Sequence, residues 1–187
     1  MKTNKEETPN RRWLALYTRM HHEKKVRDRL TSMGIECFLP IQTVVRQWSD
    51  RKKKVDKVLI SMMIFVHVDA DEQRQALEDP SAMRYMVLRG ERTPAVIPDR
   101  QMEYFRMMVE QSDVDVSFDT QCLQPGQKVR VVKGALKGLT GEMVTIDGKR
   151  NIAIRIDRLG CAVVEVGNGQ WTIDNGQLTI DNDYYRP

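Results

Sequence analysis

The sequence predicts an α+β protein: a layered front half of strands and helices, followed by a small all-β barrel. Three observations carry that prediction. Residues 11–111 alternate short apolar runs at strand period with amphipathic stretches at helical period. Residues 112–123 lose both periods. From residue 124 the chain turns to β-branched alternation cut by glycines.

In order along the chain, Trp13-Leu14-Ala15-Leu16-Tyr17 reads as a short buried strand. Residues 23–33 place Val26, Leu30 and Met33 at i, i+4 and i+7 among charges, the pattern of an amphipathic helix, and Gly34 suits its C-cap. Residues 36–40 and 41–48 read as extended segments around Pro40, and 49–57 as the Lys-rich tip of a hairpin. Residues 58–68 form the most apolar run and predict one strand. Strand alternation puts Ile60, Met62, Ile64, Val66 and Val68 on one face and Leu59, Ser61, Met63, Phe65 and His67 on the other. Both faces are largely apolar and need cover, one from helices and the other from a partner. A short helix over 71–77, a strand over 84–88 and a helix opened by Pro98-Asp99, with Met102, Phe105 and Val109 inward, complete the front half. Helices separated by paired strands argue a sandwich rather than a doubly wound sheet.

Residues 112–123 read as a linker, and 124–168 as four or five short strands of an SH3-like barrel. Val129 and Val131 alternate with Lys128 and Arg130. Met143, Val144 and Ile146 lead into Asp147-Gly148, a type I′ hairpin signal, and Ile152, Ile154 and Ile156 alternate with polar positions. In the tail, 169–187, the heptad Gly169-Gln170-Trp171-Thr172-Ile173-Asp174-Asn175 is followed by a near copy from Gly176, and the tail reads as a partly disordered extension.

Composition fits a globular chain: of 187 residues 41% are hydrophobic and 30% charged. No apolar run approaches the roughly 18 residues of a membrane span, and the polar start lacks a signal peptide's apolar core, so a cytoplasmic monomer is expected. Three scattered cysteines suggest neither a disulfide framework nor a zinc site. The net charge of +4 hides an asymmetry, because residues 11–57 hold thirteen Lys/Arg against five Asp/Glu. Such a basic front suits a nucleic-acid backbone.

Catalytic signals are missing. His21-His22 are adjacent and cannot face one ligand from a helix, and His67 reads as a half-buried histidine. No nucleophile elbow, metalloprotease motif or phosphate-binding loop occurs, and the carboxylates are scattered. A binding protein without cofactor or metal is expected.

Two stretches carry a family resemblance. Residues 126–144, Gly126-Gln127-Lys128-Val129-Arg130-Val131 through Gly134, Gly138 and Gly141 to Met143-Val144, resemble a KOW motif. Gly134 and Gly141 suit positive φ or close backbone approach there. Arg12-Trp13, the basic helix, Cys37-Phe38-Leu39-Pro40, the run ending Ile64-Phe65-Val66 and Pro94-Ala95-Val96-Ile97-Pro98 are similar to the N-terminal domain of the NusG family of transcription factors. Together the matches span residues 11–167. The front half looks closest to specialised paralogues of the RfaH and UpxY type. Where the family usually has an aromatic-Pro-Gly/Asn-Tyr segment, this chain has Ile60-Ser61-Met62-Met63.

The resemblance implies an antitermination factor, working at particular operons such as capsular polysaccharide loci. It would dock on the clamp helices of the largest RNA polymerase subunit and suppress pausing and termination. The implied polymerase contacts are Tyr17, Ile60 and Met63, with Met63 and Tyr17 on an exposed apolar patch. The hairpin residues Arg51, Lys52, Lys53 and Lys54 would face the cleft, and Arg19 would lie near nontemplate DNA. In the KOW domain Leu136 would take a ribosomal protein or Rho. That domain is expected to be a stable barrel, since its β-branched residues disfavour a helical hairpin. The alternative is a ribosome-associated or RNA-binding KOW protein without polymerase contact.

Overall fold

The computed structural model describes residues 10–47, 51–120 and 126–174. Strand β1 (Arg12–Thr18) forms where four consecutive residues, Trp13 to Leu16, are buried, so both of its faces need cover. Helix α1 (Glu23–Ser32) buries Val26 and Leu30 and stops where Gly34 takes φ 81°. There Ile35 N–H donates back to the Leu30 carbonyl at 3.0 Å and Gly34 N–H to Thr31 at 3.0 Å, the glycine-capped ending the sequence predicts. Strands β2 (Glu36–Phe38), β3 (Ile41–Gln47), β4 (Lys52–Val58) and β5 (Met63–Val68) follow.

The long apolar run is therefore two elements rather than one strand. Chain pairing changes at 59–62: β4 pairs with β3 in a two-stranded hairpin, whereas β5 pairs with β1 and β2. Met62 turns the chain with φ 60°, so Ile60 and Met62 do not continue the face of Ile64. Of the tip expected over 49–57, residues 52–57 are a paired strand arm, and residues 48–50 lie outside the described residues.

Helix α2 (Ala70–Ala76) starts from a capping box, in which the Asp69 carboxylate accepts from Asp71 and Glu72 N–H at 2.9 Å and Glu72 accepts back from Asp69 N–H at 3.1 Å. Strands β6 (Ala82–Tyr85) and β7 (Val96–Ile97) both pair antiparallel with β1, at its two ends. Beyond β6, the expected 84–88 strand continues only loosely: Met86 N–H donates to the Ala15 carbonyl at 2.8 Å, and Val87 makes a single bridge to Pro94. Helix α3 (Asp99–Gln111) buries Met102, Phe105, Met108 and Val109.

The first sheet runs β2-β5-β1-β6, with β7 also on β1. On one face Leu14, Leu16, Ile64, Val66 and Val68 pack with Val26 and Leu30 of α1 and Ala76 of α2. On the other, Trp13, Ala15, Met63 and Phe65 pack with the buried residues of α3. Phe105 of α3 meets Phe38 and Phe65 edge-on, with centroids 5.6 and 5.8 Å apart. The face expected to wait for a partner is covered by the chain's own helix.

The second sheet holds β8 (Val116–Asp119), β9 (Gln127–Val131), β10 (Thr140–Ile146), β11 (Lys149–Ile156), β12 (Gly160–Glu165) and β13 (Trp171–Ile173), in the order β13-β9-β10-β11-β12-β8. Among its described residues this half holds strands joined by turns and no helix. Asp147 and Gly148 have φ 50° and 76°, the type I′ turn expected between β10 and β11. Gly134 takes φ 90°, and at Gly141 a Cβ would sit 2.6 Å from Ile152 Cγ2, so close strand approach excludes any side chain.

Two expectations need revision. Part of the 112–123 segment is not slack, since β8 pairs with β12 and Phe118 lies 5.9 Å from Phe105. The first heptad of the tail supplies β13, which pairs with β9; the second lies outside the described residues.

Candidate functional site

Tyr17 sits near the end of β1, half-buried, with Met63 of β5 and Arg84 of β6 as its cross-strand neighbours. The Arg84 guanidinium lies over its ring, 5.2 Å from the centroid. Thr18 N–H donates to the Met62 carbonyl at 2.9 Å, and Leu59 N–H donates to the Pro40 carbonyl at 2.9 Å. Glu23, at the start of α1 and 6% exposed, accepts from Met62 N–H at 2.7 Å. These bonds pin the 59–62 loop at both ends and hold Ile60, half-buried, beside Tyr17's strand end.

Met63 is not on that surface. It is 5% exposed and belongs to the core cluster that α3 covers, because strand alternation turns it to the same side as Phe65. The exposed apolar side chains nearby are two the sequence reading passed over, Met20 (60% exposed) and Met83 (55%). Met83 lies between Ala82 and Arg84, which pair with Thr18 and Tyr17, and Arg19 N–H donates to the Ser81 carbonyl at 2.9 Å. The arrangement is a strand end with one exposed methionine in each adjoining segment and with Arg19, also exposed, next to Met20. Each methionine has an arginine as one chain neighbour, Arg19 and Arg84, which was the only local signal in the sequence.

Behind this surface, Asp79 is buried and takes two bonds from the Arg29 guanidinium, one of them 2.8 Å, and another from Ser81 N–H at 2.7 Å. Burial works to raise its pKa, but the Arg29 bond and the backbone donors outweigh burial and hold the carboxyl below its ordinary value. Ser81 in turn lies 2.8 Å from His22 Nδ1. His22 is thus tied to β6, and His21 is exposed with φ 61°. His67 is half-buried, as expected, stacked on Trp13 at 5.0 Å.

The hairpin of β3 and β4 carries Arg51, Lys52, Lys53 and Lys54 exposed. Its base is tied down: Lys24 of α1 donates to Asp56 at 2.7 Å, Lys57 to Asp115 at 2.8 Å, and Gln42 exchanges bonds with Val114 and Val116 at 2.8 Å. Lys24 and Thr43 lower the Asp56 pKa by hydrogen bonding. The cationic arm therefore projects from an anchored base. Arg19 lies at the strand end and not on the hairpin.

Leu136 is 8% exposed and packs into the core of the second half, so it offers no free contact surface. Its turn closes on itself, with Lys137 N–H donating to Gly134 and Leu139 N–H to Leu136 at 3.0–3.1 Å, which folds the leucine inward. No cluster of three or more His, Cys, Asp or Glu able to hold a metal occurs among the described residues. No helix among them is long and apolar enough to cross a membrane.

Comparison with curated proteins gives no match. Among solved structures the chain is similar to one described as "Domain interaction in Thermotoga maritima NusG", at 16% identity and a TM-score of 0.46, over 87% of this chain and 97% of that one. It is also similar to the MjSpt4:Spt5 complex in conformation B, at 10% identity and a TM-score of 0.30, over 86% and 95% of the two chains. A family model described as transcription termination factor nusG matches residues 11–106, which is just over half of the chain and covers β1 through most of α3. The chain belongs to the NusG family.

Proposed function

We propose that this chain is an antitermination factor of the specialised RfaH or UpxY type, which binds the RNA polymerase clamp and suppresses pausing and termination at particular operons. The observation that carries the reading is the strand end of the family-matched half: half-buried Tyr17 and Ile60, with the intervening loop pinned where Met62 bonds to Glu23 and Thr18, and with Met20 and Met83 exposed in the adjoining segments. A contiguous apolar patch on a monomer ordinarily marks a partner site, and these side chains are proposed to form one. Met63 supports Tyr17 from within the core rather than touching the polymerase. The basic arm at Arg51 to Lys54 and Arg19 supply charge toward the cleft or nontemplate DNA.

The second half, 124–168, is proposed to be a KOW domain of SH3-like form, its partner contact lying elsewhere than Leu136. The test is transcription in vitro on a template with a terminator. Adding the protein should raise read-through and shorten pauses. Unchanged termination, with the protein recovered on ribosomes rather than on core polymerase, overturns the reading.

A further inference from the structure

The docking surface leaves unused a cleft between the first half of α3 and β9–β11. It has a volume of about 770 Å³ and is walled by Arg100 and Tyr104 on one side and Lys128, Arg130, Thr140 and Arg155 on the other. Arg130 pairs with Thr140 across the β9–β10 ladder, so their side chains share one face. Arg130 Nε and Thr140 Oγ1 are both buried, and neither has a hydrogen-bond partner. Buried donors left unmade are costly, and two on adjacent strands lining one cavity mark a place where ligand oxygens belong.

Charge points the same way. The cleft holds four cationic side chains against two carboxylates, Glu142 and Asp174. Glu142 is taken up by Arg155, whose Nε donates to both of its oxygens at 2.9 Å, and this bond holds the Glu142 pKa below its ordinary value. Asp174 lies 3.6 Å from Arg130 Nη2. Arg100, which donates to the Tyr104 hydroxyl at 3.0 Å, and Lys128, which is exposed, complete the four cations, so the lining carries two positive charges in excess.

We propose that this cleft binds a phosphate monoester of nucleotide size. Such a group carries a charge of about −1.5 to −2 at neutral pH, which matches the surplus. Guanidinium forks suit its oxygens, and Thr140 donates to one of them. A phosphate alone leaves most of the cleft empty, whereas ligand pockets of this volume ordinarily bury a whole small molecule, whose organic part would lie against Tyr104 and Ile154. Walls from both halves of the molecule mean that the ligand joins α3 to the second sheet.

Titration calorimetry on the full chain at low salt tests this with guanosine 5′-monophosphate, guanosine, inorganic phosphate and a single-stranded oligonucleotide. The expected result is saturable binding of one monophosphate, with guanosine and inorganic phosphate each at least tenfold weaker. Arg130→Ala and Arg100→Ala should each weaken binding at least tenfold. Should Arg130→Ala lower the melting temperature, Lys128→Ala at an exposed position carries the test, with a loss of at least threefold. The proposal is overturned by no saturable heat, by guanosine or inorganic phosphate binding as tightly as the nucleotide, by binding of the oligonucleotide alone, or by Arg100→Ala and Lys128→Ala leaving affinity unchanged. No polymerase takes part, so either result leaves the docking surface to its own tests.

Discussion

Tyr17 and Met63 face each other across the β1–β5 ladder, yet one reaches solvent and the other does not. That difference was invisible in the sequence, where both are apolar residues on strands and nothing says how far along their shared face the cover of α3 extends. Met63→Glu places a charge in the core beside Phe65 and Phe105, where no partner awaits it, and should cost several kcal/mol on the ordinary scale for unpaired buried charges. Urea denaturation should show the loss; an unchanged midpoint would put Met63 on the surface after all. Asp79 behaves differently. Its folded-state pKa lies below the ordinary 3.8, so its ion pair contributes in full above that pH and is lost as pH falls through the lower folded value. Asp79→Asn should therefore cost about 2 kcal/mol at pH 7, moderated because Arg29 is partly exposed, and the gap from the parent should narrow as pH drops below 3.8. A gap independent of pH would mean that Asp79 acts through packing alone.

At the scale of elements, local patterns decided most of the outcome. The helix over 23–33, its glycine stop, the Pro98-Asp99 helix start and the Asp147-Gly148 turn were all legible, because each rests on contacts within a few residues. The 58–68 run was misread for the opposite reason. Its break at Met62 depends on Glu23 and Thr18 from distant elements, and no local residue announces it. β8 and β13 were missed differently: Val116 and Phe118, and Trp171 and Ile173, do alternate at strand period, but the segments are short, and their partners β12 and β9 are set by the tertiary fold. The β3–β4 arm tests whether charge or fold is at stake. Lys52, Lys53 and Lys54 are exposed, so replacing all three by glutamine should leave the melting temperature nearly unchanged. Affinity for an elongation complex should fall, and its salt dependence should become shallower by roughly one phosphate contact per lysine engaged. An unaltered salt slope would leave the arm as a solvated strand.

For the whole molecule, α3 is the shared wall. It covers the first sheet with Phe105, carries that ring to Phe118 of β8, and accepts a bond from Asp157 N–H on Gln101 at 2.8 Å. With Arg158 paired to Glu91 at 3.0 Å, the two halves meet through named contacts on that side. The strand end at Tyr17 and Ile60, with Met20 and Met83, is separate from that wall and is the surface proposed to dock on polymerase. The direct measurement is the affinity of the full chain for core RNA polymerase with Met83→Glu, at a position 55% exposed where the charge stays hydrated in the free protein. The variant should keep the parental melting temperature and bind at least tenfold more weakly, because docking would strip water from an unpaired carboxylate. A folded Met83→Glu variant that binds polymerase as tightly as the parent would contradict that docking.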